Sequence, residues 1–311
     1  MLIKARVTLK KPNINELSRQ GFTLVDMHVH SRFSDTYTKI KKIIERAEKK
    51  GIGVAVTDHN AIGGSKLAFR TKGDVLVIPG IETSSKEGPH ILSYFSRISD
   101  LEGFYEACIK EKILGDPYTR IDQSVDEICR WTKEFNGITS AAHPFAPAMM
   151  GLYKAIKRGY VSSDVLNKIN AVEVVTGVNL KRMTHKSINW AETLKKPITG
   201  GSDGHSLFEV GKVLTYCKAS TPKKFIEQIL SNNSFVVGKE TFLASRVPSY
   251  TKTTNKHLKY IKPFIKTKTK CVMNESVYYH TKIINQKIRK VTVKGIEAIK
   301  NHTKNVLKKN N

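Results

Sequence analysis

His28 and His30 stand one residue apart in Asp26-Met27-His28-Val29-His30-Ser31-Arg32-Phe33-Ser34-Asp35, directly after a short apolar run at residues 22–25. In an extended strand alternate side chains share a face, so both imidazoles would project together at the strand's end. Two imidazoles so placed form a chelating pair for a divalent cation. Asp35, five residues on, lies in the loop that the strand feeds and would return a carboxylate to the same place. An isolated H-x-H also fits ordinary polar packing. Its weight here comes from recurrence of the arrangement along the chain.

The elements that must carry these groups follow from periodicity. Ile40, Ile43, Ile44 and Ala47 are spaced for one helical face over residues 37–50, with Gly51 as a stop. A buried-strand pattern at 53–60 ends in His59, and a third apolar run at 74–83 ends with Glu82. His90 opens the next run, 90–95, in which Tyr94 and Phe95 read as core. Two helices are expected between residues 96 and 137, the second over 124–135 with Val125, Ile128, Cys129 and Thr132 on one face. The strand at 137–144 ends in His143, stopped by Pro144. A connection at 149–170, helical in part, precedes an apolar strand at 171–177 and a helix at 179–194, on which His185 reads as structural. The strand at 197–205 ends with Asp203 and His205. A strand at 211–217, a helix started by Thr221 and Pro222, and a strand at 235–238 close the pattern.

Strands alternating with helices predict parallel βαβ units. Parallel strands bring equivalent ends to one side, and a closed barrel gathers them around one axis. His28, His30, Asp35, His59, Glu82, His143, Asp203 and His205 would then converge. His90 begins its strand, so it is expected to reach the cluster from a loop after Glu82.

The chain has 311 residues and a formal net charge of +26, which points to polyanionic partners: nucleic acid, phosphorylated small molecules or an anionic membrane surface. From residue 241 to 311 seventeen Lys or Arg stand against two acids, a net of +15. A domain over 1–240 followed by a basic, partly helical or disordered tail over 241–311 is therefore expected. Binding of RNA or DNA backbone is the first reading of that tail; a lipid surface fits less well, because the apolar face is thin and lacks tryptophan. Cys108, Cys129, Cys217 and Cys271 show no C-x-x-C spacing, which fits a reducing compartment. No apolar run approaches the ~18 residues of a membrane span, and a cytoplasmic protein is expected. No Walker A loop, no G-x-S-x-G and no Cys/His pairing suggests covalent catalysis.

Six pieces occur in order: H-x-H with a following Asp, Thr57-Asp58-His59, Gly80-Ile81-Glu82, His90 opening a strand, Ala142-His143-Pro144 and Ser202-Asp203-Gly204-His205. Together they resemble the polymerase and histidinol phosphatase (PHP) superfamily, most closely its TrpH-like phosphoesterases, over residues 23–238. The resemblance implies an α/β fold, a distorted (β/α)7 barrel, and a trinuclear metal centre; it does not cover the basic tail, which is expected as a C-terminal extension. Carried over, His28, His30, Glu82 and Asp203 would hold one ion, Asp35, His59 and His205 a second, and Glu82, His90 and His143 a third. Mixed imidazole and carboxylate ligands suit zinc, manganese or iron. Asp26 and Asp58, each beside a ligand histidine, are candidates to fix a ring's tautomer or are solvated loop carboxylates.

The implied activity is hydrolysis of phosphate esters of nucleotides or short oligonucleotides, including exonuclease-type action, by a hydroxide bridging two metals, with no side-chain nucleophile. Arg32, Lys181 and Arg182 could bind substrate phosphate at the mouth, or be ordinary surface cations. The alternatives are a histidinol-phosphate-type phosphatase and a non-catalytic nucleic-acid-binding subunit whose barrel is a scaffold. Oligomeric state is open.

Overall fold

A computed structural model describes residues 2–114, 118–146, 150–177 and 180–239. The expected basic tail, 241–311, lies outside the described residues. A 3-10 turn (Ile3–Arg6) leads to β1 (Val7–Thr8), and α1 (Ile14–Arg19) starts at Asn13, whose side chain accepts from Glu16 N. β2 (Thr23–Val29) follows, and then α2 (Ile40–Lys50). Ile40, Ile43, Ile44 and Ala47 of α2 are buried, and the helix ends at Gly51, whose φ of 65° is a left-handed cap that suits glycine.

β3 (Gly53–Val56), α3 (Gly63–Thr71), β4 (Gly80–Ser84), β5 (His90–Tyr94) and α4 (Ile98–Phe104) come next. α5 (Val125–Glu134) opens on a capping box between Ser124 and Glu127 and buries Val125, Ile128, Cys129 and Thr132. β6 (Ile138–Ala141), α6 (Leu152–Lys157), β7 (Ala171–Thr176), α7 (Lys181–Leu194) and β8 (Ile198–Gly201) complete the part that carries the candidate ligands. β9 (Val213–Cys217), α8 (Pro222–Leu230, capped by Thr221) and β10 (Phe235–Gly238) end the described chain.

The strands form two five-stranded sheets, ordered β1-β10-β9-β2-β3 and β4-β5-β6-β7-β8. Parallel pairing was the expectation for the strands that carry the candidate ligands, and the structure departs from it. β2/β3, β6/β7, β7/β8 and β1/β10 are parallel, but β4/β5, β5/β6, β9/β2 and β10/β9 are antiparallel. Periodicity reports burial and carries no information on strand direction. The link between β4 and β5 spans only residues 85–89, too few for a crossover helix, so the chain reverses.

The apolar run at 74–83 also differs from expectation: Pro79 falls inside it, and only Gly80–Ser84 is a strand. Val77 instead forms an isolated parallel bridge to Val54, and a second bridge joins His59 to Glu82. A third joins Val29 to Gly204. β2 and β3 are thereby tied to both β4 and the segment after β8.

Each helix stripe closes one part of the core. α2 packs with Leu24, Val54 and Val56; α5 with Phe95 and Phe104; α8, through Phe225, Ile226 and Ile229, with Val25, Met27, Leu92 and Tyr94. Tyr94 and Phe95 are core, as expected, and the buried Tyr94 hydroxyl donates to the Met27 carbonyl at 2.7 Å. No helix among the described residues is long and apolar enough to cross a membrane.

β8 approaches β2 more closely than any side chain permits. A Cβ on Gly201 would lie 2.4 Å from both N and Cβ of His28, which cannot move aside without moving the strand. Gly201→Ala is therefore expected to lower unfolding free energy by about 1–3 kcal/mol, the usual cost of overpacking. A drop in the urea midpoint with unchanged slope checks this.

Candidate metal centre

β2 delivers the first two imidazoles, and buried acids hold its end in place. The Asp26 carboxylate accepts from the backbone N–H of Ser202 (2.8 Å), Gly211 (2.7 Å) and His28 (3.4 Å). Burial still pushes its pKa up, to about 6, against those hydrogen bonds. Asp58 accepts from Ser31 N (2.7 Å), Ser31 Oγ (2.6 Å) and Ser34 Oγ (2.6 Å), shaping the loop that returns Asp35. Among the described residues neither acid meets a histidine ring by hydrogen bond. Both fix backbone and loop, a correction to the reading that they set a tautomer.

That task falls to Glu173, which sequence reasoning missed. Its side chain is buried in β7; Oε1 lies 2.9 Å from His28 Nδ1 and Oε2 accepts from His143 N at 2.8 Å. One carboxylate thus orients His28 toward the centre through Nε2 and pins the backbone of a second candidate ligand. The available signal was a single acid inside an otherwise apolar strand, Ala171-Val172-Glu173-Val174-Val175.

All nine candidate ligands meet at one end of these strands. His28 Nε2 and His30 Nε2 are 3.1 Å apart, and each faces Glu82 Oε2, at 3.3 and 3.4 Å. Asp203 Oδ1 is 3.1 Å from His30 Nε2 and 3.6 Å from His28 Nε2. His205 Nε2 is 3.0 Å from Asp35 Oδ2, and His59 Nε2 is 3.8 Å from the same oxygen. Glu82 Oε1 sits 3.1 Å from both His90 Nδ1 and His143 Nε2. His90 needs no loop to reach the cluster: in the antiparallel pair β4/β5 it stands opposite Ser84, beside Glu82.

Three groups have donor atoms within 4.8 Å of one another: His30, Asp35, His59 and His205; His28, His30 and Glu82; His59, Glu82 and His90. They overlap through His30, His59 and Glu82. These sets differ from the expected partition: His30 also lies near the Asp35 group and His59 near the His90 group, while Asp203 and His143 fall in none of the three.

The electrostatics call for cations. Burial opposes ionisation of Asp35, Glu82 and Asp203, yet the surrounding imidazoles outweigh it and hold all three well below the usual carboxylate range. Burial likewise opposes protonation of His205, but Asp35 and Asp203 raise it to about 10. His59 goes the other way: burial drives it down to about 3, so it is a neutral ring ready to donate a lone pair. His59 Nδ1 and Glu82 Oε2 are buried and 3.0 Å apart, yet neither has a hydrogen-bond partner. Orphaned atoms of that kind, aimed at a shared point, fit a divalent ion with N/O ligands.

Backbone strain concentrates here as well. Asn60, His143 and Asp203 have φ of 48°, 25° and 48°, left-handed values that non-glycine residues adopt at a cost of order 1–3 kcal/mol each. Each is a candidate ligand or directly follows one.

The PHP domain model matches residues 26–132, and the PHP-associated model matches 183–234. The chain carries a PHP domain. The PHP match contains His28, His30, Asp35, His59, Glu82 and His90, and the PHP-associated match contains Asp203 and His205; His143 and Glu173 lie between them. No curated protein matches the sequence.

Among solved structures, PsfC from Pseudomonas syringae PB-5123 is similar with a TM-score of 0.54 and 17% identity, covering 76% of this chain and 99% of that one. The lesion-specific endonuclease PfuEndoQ from Pyrococcus furiosus gives a TM-score of 0.54 at 19% identity, over 69% of this chain and 57% of that one. Endonuclease Q in complex with a 27-mer duplex with an abasic lesion at its active site gives 0.54 at 20% identity, over 70% of this chain and 60% of that one. This chain thus spans less than two thirds of the endonuclease Q chains. At these identities the likeness speaks to the fold. The PHP domain together with the clustered donors supports a hydrolase acting on phosphate esters.

The three cations expected at the mouth are exposed. Arg32 leaves β2 with its guanidinium 5.6 Å from the Phe33 ring centre, and Lys181 and Arg182 open α7 without a side-chain hydrogen bond or ion pair among the described residues. His185 is exposed on α7 rather than packed, because it falls on the face opposite Thr184, Ser187 and Ile188.

Glu173→Gln keeps the volume but removes the charge that fixes the His28 tautomer. The expected outcome is a 10–100-fold loss of metal affinity with an unchanged far-UV spectrum, read by competition titration against a chromogenic chelator.

Proposed function

We propose that this protein is a metal-dependent phosphoesterase that hydrolyses phosphate esters of nucleotides or short oligonucleotides. The observation that carries the reading is Glu82, a fully buried carboxylate whose two oxygens face different sets of imidazoles, Oε1 toward His90 and His143 and Oε2 toward His28, His30 and His59. A carboxylate so placed suits a bridge between ions. In this reading His28, His30, Glu82 and Asp203 hold one ion, Asp35, His59 and His205 a second, and Glu82, His90 and His143 a third. Zinc, manganese and iron all match the donor set.

Bound divalent ions supply Lewis acidity and an activated water at neutral pH. The chain's own residues do the rest. Glu173 keeps His28 and His143 in place, Asp26 ties the end of β2 to the segment carrying Asp203, and Asp58 holds the Asp35 loop. Arg32, Lys181 and Arg182, all exposed, are the cations proposed to meet substrate phosphate oxygens. The strands β2 to β8, joined by the bridges His59↔Glu82 and Val29↔Gly204, are read as the distorted (β/α)7 barrel of the family. The phosphoesterase unit is assigned to residues 1–240, with the basic segment 241–311 adding affinity for nucleic-acid backbone. A cytoplasmic setting goes with the buried, free thiols of Cys108, Cys129 and Cys217.

The test is elemental analysis of purified protein beside phosphate release from nucleoside monophosphates, 3′,5′-bisphosphates, short oligonucleotides and histidinol phosphate. About two to three ions per chain with turnover of a nucleotide substrate is expected. Turnover of histidinol phosphate alone would move the substrate to a small molecule. No metal, and no activity after manganese or zinc is restored, would make the domain a scaffold. His59→Ala, which removes a neutral donor and little core, should abolish hydrolysis and leave the circular dichroism spectrum intact; full activity in that variant overturns the ligand assignment.

A further inference from the structure

The two loops that supply Asp35 and His205 share a second feature. Each packs one large apolar side chain inward and presents the next one outward. Phe33 and Leu207 pack against the same core cluster as α2, whereas Tyr37 is 55% exposed and Phe208 80% exposed. Among the described residues these are the only exposed Phe, Tyr or Trp side chains. A single exposed aromatic needs no explanation. Two that coincide with two ligand-bearing loops do.

Their placement follows from the chain. Tyr37 is two residues after Asp35 and Phe208 three after His205, and Asp35 Oδ2 and His205 Nε2 are 3.0 Å apart. At ~3.8 Å per residue the Cα atom of Tyr37 lies within about 8 Å of that of Asp35, and the Cα atom of Phe208 within about 11 Å of that of His205. The loop that carries Phe208 is anchored: Glu209 Oε2 accepts from His205 N and from Ser206 Oγ, both at 3.0 Å. The other loop brings a cation, Arg32, exposed on the same segment as Tyr37. Flat apolar faces, an adjacent positive charge and a metal-type donor cluster are complementary to a flat ring joined to a phosphate.

We propose that Tyr37 and Phe208 stack against an unpaired nucleobase whose attached phosphate is held on the Asp35–His205 side of the centre. They would then set specificity, selecting phosphate esters that carry a base and rejecting those that do not. Stacking is tolerant of base identity, so a broad preference across the four bases goes with it. A closed duplex offers no free base face, so the ligand is a mononucleotide or a single-stranded or frayed end. This deepens the phosphoesterase reading and rests on it for the position of the phosphate.

The experiment measures binding without turnover, by calorimetry on the full chain with calcium in place of the catalytic metal. The probes are adenosine 5′-monophosphate, ribose 5-phosphate, a trinucleotide and the same trinucleotide with one abasic position. Base-containing probes are expected to bind about tenfold tighter than their base-free counterparts. Tyr37→Ala/Phe208→Ala should abolish that ratio, while Tyr37→Phe and Phe208→Tyr, which keep the ring, retain it. A preference in the mononucleotide pair identifies a free nucleotide as ligand, and one confined to the trinucleotide pair identifies a strand; both support the proposal. Equal affinity within both pairs, or a ratio that survives the double alanine variant, overturns it. Phosphate release from the same probes with manganese separates the two readings. A base preference in binding without any hydrolysis overturns the phosphoesterase alone. Hydrolysis of ribose 5-phosphate and the mononucleotide at equal kcat/KM, together with equal affinities, overturns the stacking site alone.

Discussion

Glu82 is an ionised carboxylate with no solvent contact, and the surrounding structure is arranged to make that state tolerable. An unpaired buried charge of this kind carries a desolvation penalty of several kcal/mol. The chain meets it with five imidazoles within 3.4 Å of the two oxygens. Asp35 and Asp203 repeat the problem nearby, and with the buried Glu173 four acids share six rings. Protons can balance part of that charge, as the elevated pKa of His205 shows. They do so at the cost of the lone pairs that make imidazole a ligand. Divalent cations balance the same acids and use the lone pairs, which is why the cluster's composition and its electrostatics point to one occupant.

Assembling these groups demands backbone geometry that regular elements do not offer. β4 and β5 run antiparallel, which sets the first residue of one strand beside the third residue of the other and so joins His90 to Glu82. Left-handed φ values at His143 and Asp203 mark turns two residues after the ends of β6 and β8, where the chain brings these side chains into the cluster. The hydrogen bonds of Asp26 to Ser202 and Gly211 and of Glu173 to His143 hold those turns. Strain and buried acids thus occur together, each stabilising a position the other needs.

Much of this was legible in the amino-acid sequence because ligands of this type sit at the ends of apolar runs. His28, His30, His59, Glu82, His143, Asp203 and His205 each end or follow a strand pattern, and the helix starts expected at residue 124 and at Thr221 fall within a residue of those observed. Direction was not legible: a buried strand reads the same in either sense, and the short 85–89 link was the only cue to reversal. Glu173 was hidden because one acid in a strand of valines has no periodic partner; its purpose appears only when β7 is laid beside β6 and β8. Asp26 and Asp58 were placed near the right histidines but given the wrong partners, since sequence adjacency says nothing about which face of a loop receives a carboxylate.

The charge distribution divides the work of recognition. The interior of the site is acidic and imidazole-rich, whereas the chain as a whole carries +26. A cation is drawn to the first and a polyanion to the second. Neither field distinguishes one phosphate ester from another, because every such ester presents similar oxygens to the metals and similar charge to the lysines. Discrimination must come from contacts to whatever the phosphate is attached to, and those contacts have to lie just outside the ligand shell. The loops after β2 and β8 are the segments that are both rigidly tied to the centre, through Asp58 and Glu209, and open to solvent at Tyr37 and Phe208. A domain that keeps its donor set can therefore change substrate by changing a few residues on those loops, while the buried acids leave the interior almost no freedom to vary.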